Sequence, residues 1–216
     1  MTAMHYTETE DAINSLTHGL GVVLSLAGLA VLVVLASLRG SAWHIVSCSV
    51  YGVSLVTMFL TSTLYHGFRS PRLRRLFRVL DHAAIYLLIA GSYTPFMLVT
   101  LRGAWGWTLF GVVWALAALG LVFQGFFHGR FPVLTTSIYV LMGWLIVVAM
   151  KPLWNSLPHG GFLWLLAGGL FYTGGAMVYL LRRIPYQHAV WHLFVLGGSA
   201  CHYIAILSYV VPGPAR

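Results

Sequence analysis

Seven long apolar runs dominate this chain: residues 14–37, 44–66, 81–101, 106–127, 133–150, 162–181 and 188–210. A helix crosses the hydrocarbon core of a bilayer with about 20 mostly apolar residues, and each run is close to that length. The breaks between them (LRGSAW, GFRSPRLRRLFRV, LRGAWG, HGRFP, KPLWNSLPHGG and RRIPYQ) are short and carry charge, Gly or Pro. Only 7% of the residues are charged, against 59% hydrophobic and a mean hydropathy of +0.85. A soluble domain averages roughly a quarter charged, so this chain cannot cover its surface with polar groups. The fold class that follows is all-α integral membrane: a bundle of seven transmembrane helices with no inserted soluble domain and no convincing internal repeat. It divides into a short polar N-terminal tail over 1–13, a transmembrane domain over 14–210 and a C-terminal tail over 211–216.

The opening MTAMHYTETEDA is polar and acidic and lacks a basic leading segment, so it reads as a tail or an interfacial helix rather than a cleavable signal peptide. With the N-terminus inside, the inner connections hold Arg69, Arg72, Arg74, Arg75, Arg78, Arg130, Arg182 and Arg183, eight basic residues. The outer ones then hold four: Arg39, Arg102, Lys151 and Arg216. Basic residues accumulate on the cytoplasmic side, which predicts a cytoplasmic N-terminus and an external C-terminus. The net charge of +8 is explained by this Arg-rich connection resting on anionic headgroups, and no nucleic-acid partner is expected. Cys48 and Cys201 lie in apolar runs and form no CxxC pair, so they read as small buried hydrophobes. Gly168/Gly169, Gly174/Gly175 and Gly197/Gly198 would let helices approach closely. Pro95 should kink the third span, with Thr94 and Ser92 near to satisfy freed backbone groups.

The titratable residues inside the apolar runs are more specific. Of four acidic residues, Glu8, Glu10 and Asp11 belong to the tail, which leaves Asp81 as the only carboxylate in everything that follows. An ionisable group at a membrane boundary is costly unless it is paired, wetted or bound to a cation. An ion pair with Arg78 or a helix N-cap is the plain alternative. The topology adds an argument. His66 ends the second span, Asp81 opens the third, and His188 and His192 open the seventh, so all four reach one membrane face from three helices. His188 and His192 are four residues apart, about one helical turn, and share a side. Neutral imidazoles suit Zn²⁺, and three His with one open position is the catalytic rather than the structural zinc pattern. His66, His188 and His192 would be the ligands. Asp81 would hold the zinc-bound water, whose pKa the metal lowers toward about 7. Ser62, one turn before His66, would serve as a neighbouring hydrogen-bond partner.

Other histidines read differently. His82 points about 100° from Asp81 on the helical wheel and reads as a packing or interfacial residue. His202 lies ten residues, about 15 Å along a helix, beyond His192, too far to share an ion. His18 begins the first span on the same face and reads as structural or as lining the site, while His44 and His159 fall elsewhere. An HxxxH pair alone is weak, and Ala189, Val190 and Trp191 between the two supply no general base of the HExxH kind.

In combination the chain resembles the hemolysin III family, the bacterial branch of the progestin and adipoQ receptor superfamily. The resemblance covers nearly the whole chain. It rests on EDAINSLTHGLG with Glu10, Asn14, Thr17 and His18, on Ser62-xxx-His66, on DHAAIYLLIAGSYTPF from Asp81 to Phe96, and on His188-xxx-His192. It implies a seven-helix fold in the bacterial inner membrane with one Zn²⁺ per chain at the cytoplasmic end. It also implies His66, His188 and His192 as ligands, with Asp81 associated with the metal-bound water. Nothing at those positions departs from the pattern.

Two functional readings follow. In the first, the protein is a zinc-dependent hydrolase acting on a lipid amide or ester, since eukaryotic relatives are linked to ceramidase-like activity; membrane lipid is then its substrate. In the second, it is a non-enzymatic membrane-homeostasis or receptor-like protein with structural zinc, associated with cytolysis as the family name suggests. A secreted pore former fits poorly, because seven uncharged spans offer no amphipathic pore helix. A transporter fits poorly too, because Asp81 is the only intramembrane carboxylate for ion coupling. Whether the fourth metal position is closed by a side chain or left to water separates the first two readings.

Overall fold

A computed structural model describes residues 7–181 and 185–211. The helices are α1 (Glu8–Arg39), α2 (Ala42–Gly67), α3 (Pro71–Pro95), α4 (Ala104–Phe127), α5 (Pro132–Gly143), α6 (Met150–Ser156), α7 (His159–Leu181) and α8 (Gln187–Tyr209). A wide turn over Phe96–Thr100 prolongs α3, and a tight one over Trp144–Ala149 joins α5 to α6. Seven helical segments are thus long and apolar enough to span a membrane. Large side chains such as Leu16, Leu38, Leu119, Phe126 and Leu141 face outward, which suits lipid and not water. The protein is an integral membrane protein. Arg182, Arg183 and Arg216, which enter the orientation argument, lie outside the described residues.

Two segments differ from the sequence expectation. The acidic residues at the start form the first turn of α1. Thr7 caps it: the Glu10 N–H donates to Thr7 Oγ1 (3.2 Å), and the Thr7 N–H donates to Glu10 Oε2 (2.8 Å). That reciprocal pair, with Glu8, Glu10 and Asp11 at the positive end of the helix dipole, nucleates the helix upstream of the apolar run. The Arg-rich break is also helical. Pro71 occupies the first turn of α3, where its missing N–H costs nothing, and the connection shrinks to residues 68–70. Asp81 therefore lies in the third turn of α3, which excludes the N-cap alternative.

The bundle closes on itself. α1 packs between α2 and α8, α2 on α3, α3 on α4, α5 against α3 and α7, and α7 on α8. Small residues permit the closest approaches: the His202 ring of α8 occupies the space that a Cβ on Gly168 of α7 would fill. Cys48 and Cys201 are buried free thiols. Thr94 Oγ1 donates to Ala90 O (2.8 Å) and Ser92 Oγ to Ile89 O (2.9 Å). Each serves a carbonyl of its own preceding turn rather than Gly91 O, four residues before Pro95. Tyr93 ties the two irregular spans together: its hydroxyl donates to Met142 O (3.1 Å) or Gly143 O (2.8 Å) and accepts from Ile146 N (2.8 Å).

Candidate metal centre

The site sits at the end of the bundle that carries the Arg-rich turn. His66 is in the last turn of α2, His188 and His192 are in the first two turns of α8, and all three are buried. Their ring centroids are 4.6 Å (His188–His192), 4.9 Å (His66–His188) and 5.3 Å (His66–His192) apart. One nitrogen from each lies within 4.8 Å of the others, a group that could hold a metal ion. A tetrahedral ion with bonds near 2.1 Å separates its ligand atoms by about 3.4 Å, so small side-chain rotations would close the trio. The helical spacing of α8 accounts for one pair, and α1, packed against both α2 and α8, brings the third ring to it.

The donor set fits such an ion in a second respect. His66 Nδ1 is 2.9 Å from Asp11 Oδ1. His192 Nδ1 is 3.2 Å from the Asn14 carbonyl and 3.1 Å from Thr17 Oγ1. A carbonyl only accepts, so His192 Nδ1 carries the proton and Nε2 keeps the lone pair that could meet a metal ion. This is the outer arrangement that metal-ligating histidines almost always show. The His18 ring lies flat on His192, with centroids 3.5 Å apart and planes 12° from parallel.

Asp81 is buried but is not one of the close trio. No arginine pairs with it among the described residues, which removes the Arg78 alternative; the nearest basic group is His82 Nδ1, 3.7 Å from Asp81 Oδ2. Ser62 is buried beside it. Asp81, Ser62, His18, His188 and His192 all border one cavity of about 190 Å³. From Asp81 that cavity follows α3 as far as Met97 and ends among Met150, Leu153 and Phe162. Sixteen residues of helix make that path about 24 Å long, and its walls beyond the site are mostly Leu, Ile, Met, Phe and Tyr.

His82 borders the cavity, bonds Arg78 O (3.0 Å) and meets the His128 ring at 4.8 Å. His128 lies in the α4–α5 connection, where burial first, then His82 and Arg78, push its imidazole down to about 4. It is uncharged at neutral pH. His202 is distant from the trio, as expected, and contacts Leu165 O (3.2 Å), while His44 bonds Ser41.

Sequence reasoning placed Asp11 in a tail and so missed its contact with His66. The signal was present: Thr7 and Glu10 form a capping box that extends α1 upstream. On that extended helix Asp11, Asn14 and His18 follow the i, i+3, i+7 spacing of one face.

Comparison with known proteins bears on the same residues. A family model described as "Haemolysin-III related" matches residues 6–203. The chain belongs to this family. Hemolysin-3 of Bacillus cereus is 50% identical over 212 residues, 98% of this chain and 97% of that protein. A Hemolysin-3 homolog of Bacillus subtilis strain 168 is 46% identical, covering 97% and 98% respectively. The human monocyte to macrophage differentiation factor is 30% identical over 211 residues, 95% of this chain and 86% of its own. The family match spans every residue of the site, from Asp11 to His192.

Proposed function

We propose that this protein is a zinc-dependent hydrolase that cleaves a lipid amide or ester at the inner leaflet of the bacterial inner membrane, with its N-terminus cytoplasmic. The observation that carries the reading is the juxtaposition of a buried three-histidine group with a carboxylate on the wall of one long apolar cavity. A closed structural site would take a fourth protein ligand, whereas here Asp81 stands outside the close trio.

His66, His188 and His192 would hold the ion. A zinc ion so held supplies Lewis acidity toward a carbonyl oxygen and lowers the pKa of an adjacent water toward about 7. Asp81 accepts the proton of the attacking water and returns it to the leaving nitrogen or oxygen, so it acts as base and then as acid. Ser62 steadies the Asp81 carboxylate. The cavity takes the acyl chain, excludes water around it and sets the carbonyl beside the trio. An exposed acyl substrate in the aqueous phase would leave this apolar volume without a purpose.

Asp81→Asn tests the reading, because it keeps the shape and removes the base. We expect bound zinc to stay near the wild-type level, while hydrolysis of long-chain lipid amides and esters by detergent-purified protein falls about 100- to 10,000-fold. Hydrolysis unchanged in Asp81→Asn, or no hydrolysis by zinc-loaded wild type across both substrate classes, would contradict it. The second outcome would favour a structural ion.

A further inference from the structure

The polar contacts of α1 with the trio carry a consequence for His66. We propose that Arg74 and Asp11 form a positioning pair that fixes the tautomer and aim of His66, so that metal affinity depends on the first turn of α1 and the start of α3. The proposal rests on the metal-binding part of the function above, not on hydrolysis.

Arg74 Nη2 is 2.6 Å from Asp11 Oδ2, and Asp11 Oδ1 is 2.9 Å from His66 Nδ1. The two carboxylate oxygens thus face opposite partners. An ionised carboxylate only accepts hydrogen bonds, so the His66 proton is held on Nδ1 and the lone pair of Nε2 is committed to the metal side. The His66 side chain is fully buried and that of Asp11 is 11% exposed, so water competes little for the contact. Short charge-assisted bonds of this kind are stronger than neutral ones. Arg74 is itself braced, with its guanidinium 5.6 Å from the centre of the Tyr65 ring, next to His66 in the chain. The neighbouring pair Arg69–Glu8 is different: its atoms are 3.8 Å apart and its side chains are 87% and 88% exposed. An exposed pair like that contributes little, and it lacks any path to the trio.

The test is zinc affinity of full-length protein in detergent, read by competition with a chromogenic chelator, together with the visible absorption of the Co²⁺-substituted form. Asp11→Asn should weaken zinc binding by about 10- to 100-fold, the usual effect of losing such a partner, and should alter the Co²⁺ bands. Arg74→Gln separates positioning from simple charge. Removing a cation would tighten binding of Zn²⁺ on electrostatic grounds alone, whereas loss of the brace for Asp11 weakens it. Arg69→Gln should bind like wild type. In a His66→Ala background, Asp11→Asn should have no further effect, which a general disturbance of folding would not respect.

Unchanged affinity and Co²⁺ spectrum in Asp11→Asn would overturn the proposal while leaving the metal site intact. Tighter binding in Arg74→Gln would overturn the role of Arg74. Wild type that binds no zinc would overturn the metal reading and this inference with it.

Discussion

At the scale of single residues, His66 and His192 present rings whose Nδ1 is already engaged by α1. His192 shows this best. Its Nδ1 proton is shared between the Asn14 carbonyl and the Thr17 hydroxyl, and its face is covered by His18. Thr17→Val keeps the shape and removes one of the two acceptors. Because Asn14 O persists, zinc affinity should fall less than the roughly 10-fold lower bound seen when a sole outer partner is lost, by chelator competition; a loss as large as that of His192→Ala would show Thr17 to be indispensable. The grouping was readable from spacing and topology: His188 and His192 by one helical turn, and His66 and Asp81 by the membrane face they share with that pair. Asp11 was not, since its contact depends on a helix that starts upstream of the apolar run and on the rotation of α1 about its axis. Hydropathy carries no information about that rotation. That His82 borders the cavity was not legible for a related reason: a helical wheel gives its angle to Asp81 but not the course of the cavity.

At the scale of elements, long apolar segments were legible because length and hydropathy alone select them. The structure lengthens α1 and α3 at the ends facing the site, where charged residues lower the hydropathy without opposing the helix. The cap at Thr7 and the proline at the start of α3 are the local causes. Glycine in these helices has two opposite meanings that composition cannot separate. A Cβ on Gly168 would enter the His202 ring, whereas one on Gly111 would meet nothing within 4 Å. Gly168→Ala should therefore destabilise the protein by about 1–3 kcal/mol through overpacking. Gly111→Ala should be neutral or mildly stabilising, by up to about 1 kcal/mol of helix propensity. Thermal unfolding in detergent checks both, and a Gly168→Ala midpoint at or above that of Gly111→Ala would contradict the packing account.

At the scale of the whole molecule, ring closure assembles the candidate site. α1 lies against both α2 and α8, which turns two distant histidine segments and an N-terminal acidic turn into one centre. The same closure leaves a cavity running from Asp81, His188 and His192 toward the far end of the bundle. Neither the order of neighbours nor the cavity could be read from the sequence, because apolar helices of similar length can pack in many orders. The shared membrane face of the four predicted residues could be, since it needs only the alternation of seven spans. The central claim is that His66, His188 and His192 hold one metal ion. Elemental mass spectrometry of protein purified in detergent without chelator tests it most directly, comparing wild type with the His188→Ala/His192→Ala double variant. About one zinc per wild-type chain is expected of a single buried three-histidine site, and essentially none in the variant. Metal-free wild type, or zinc retained at the wild-type level by the double variant, would contradict it.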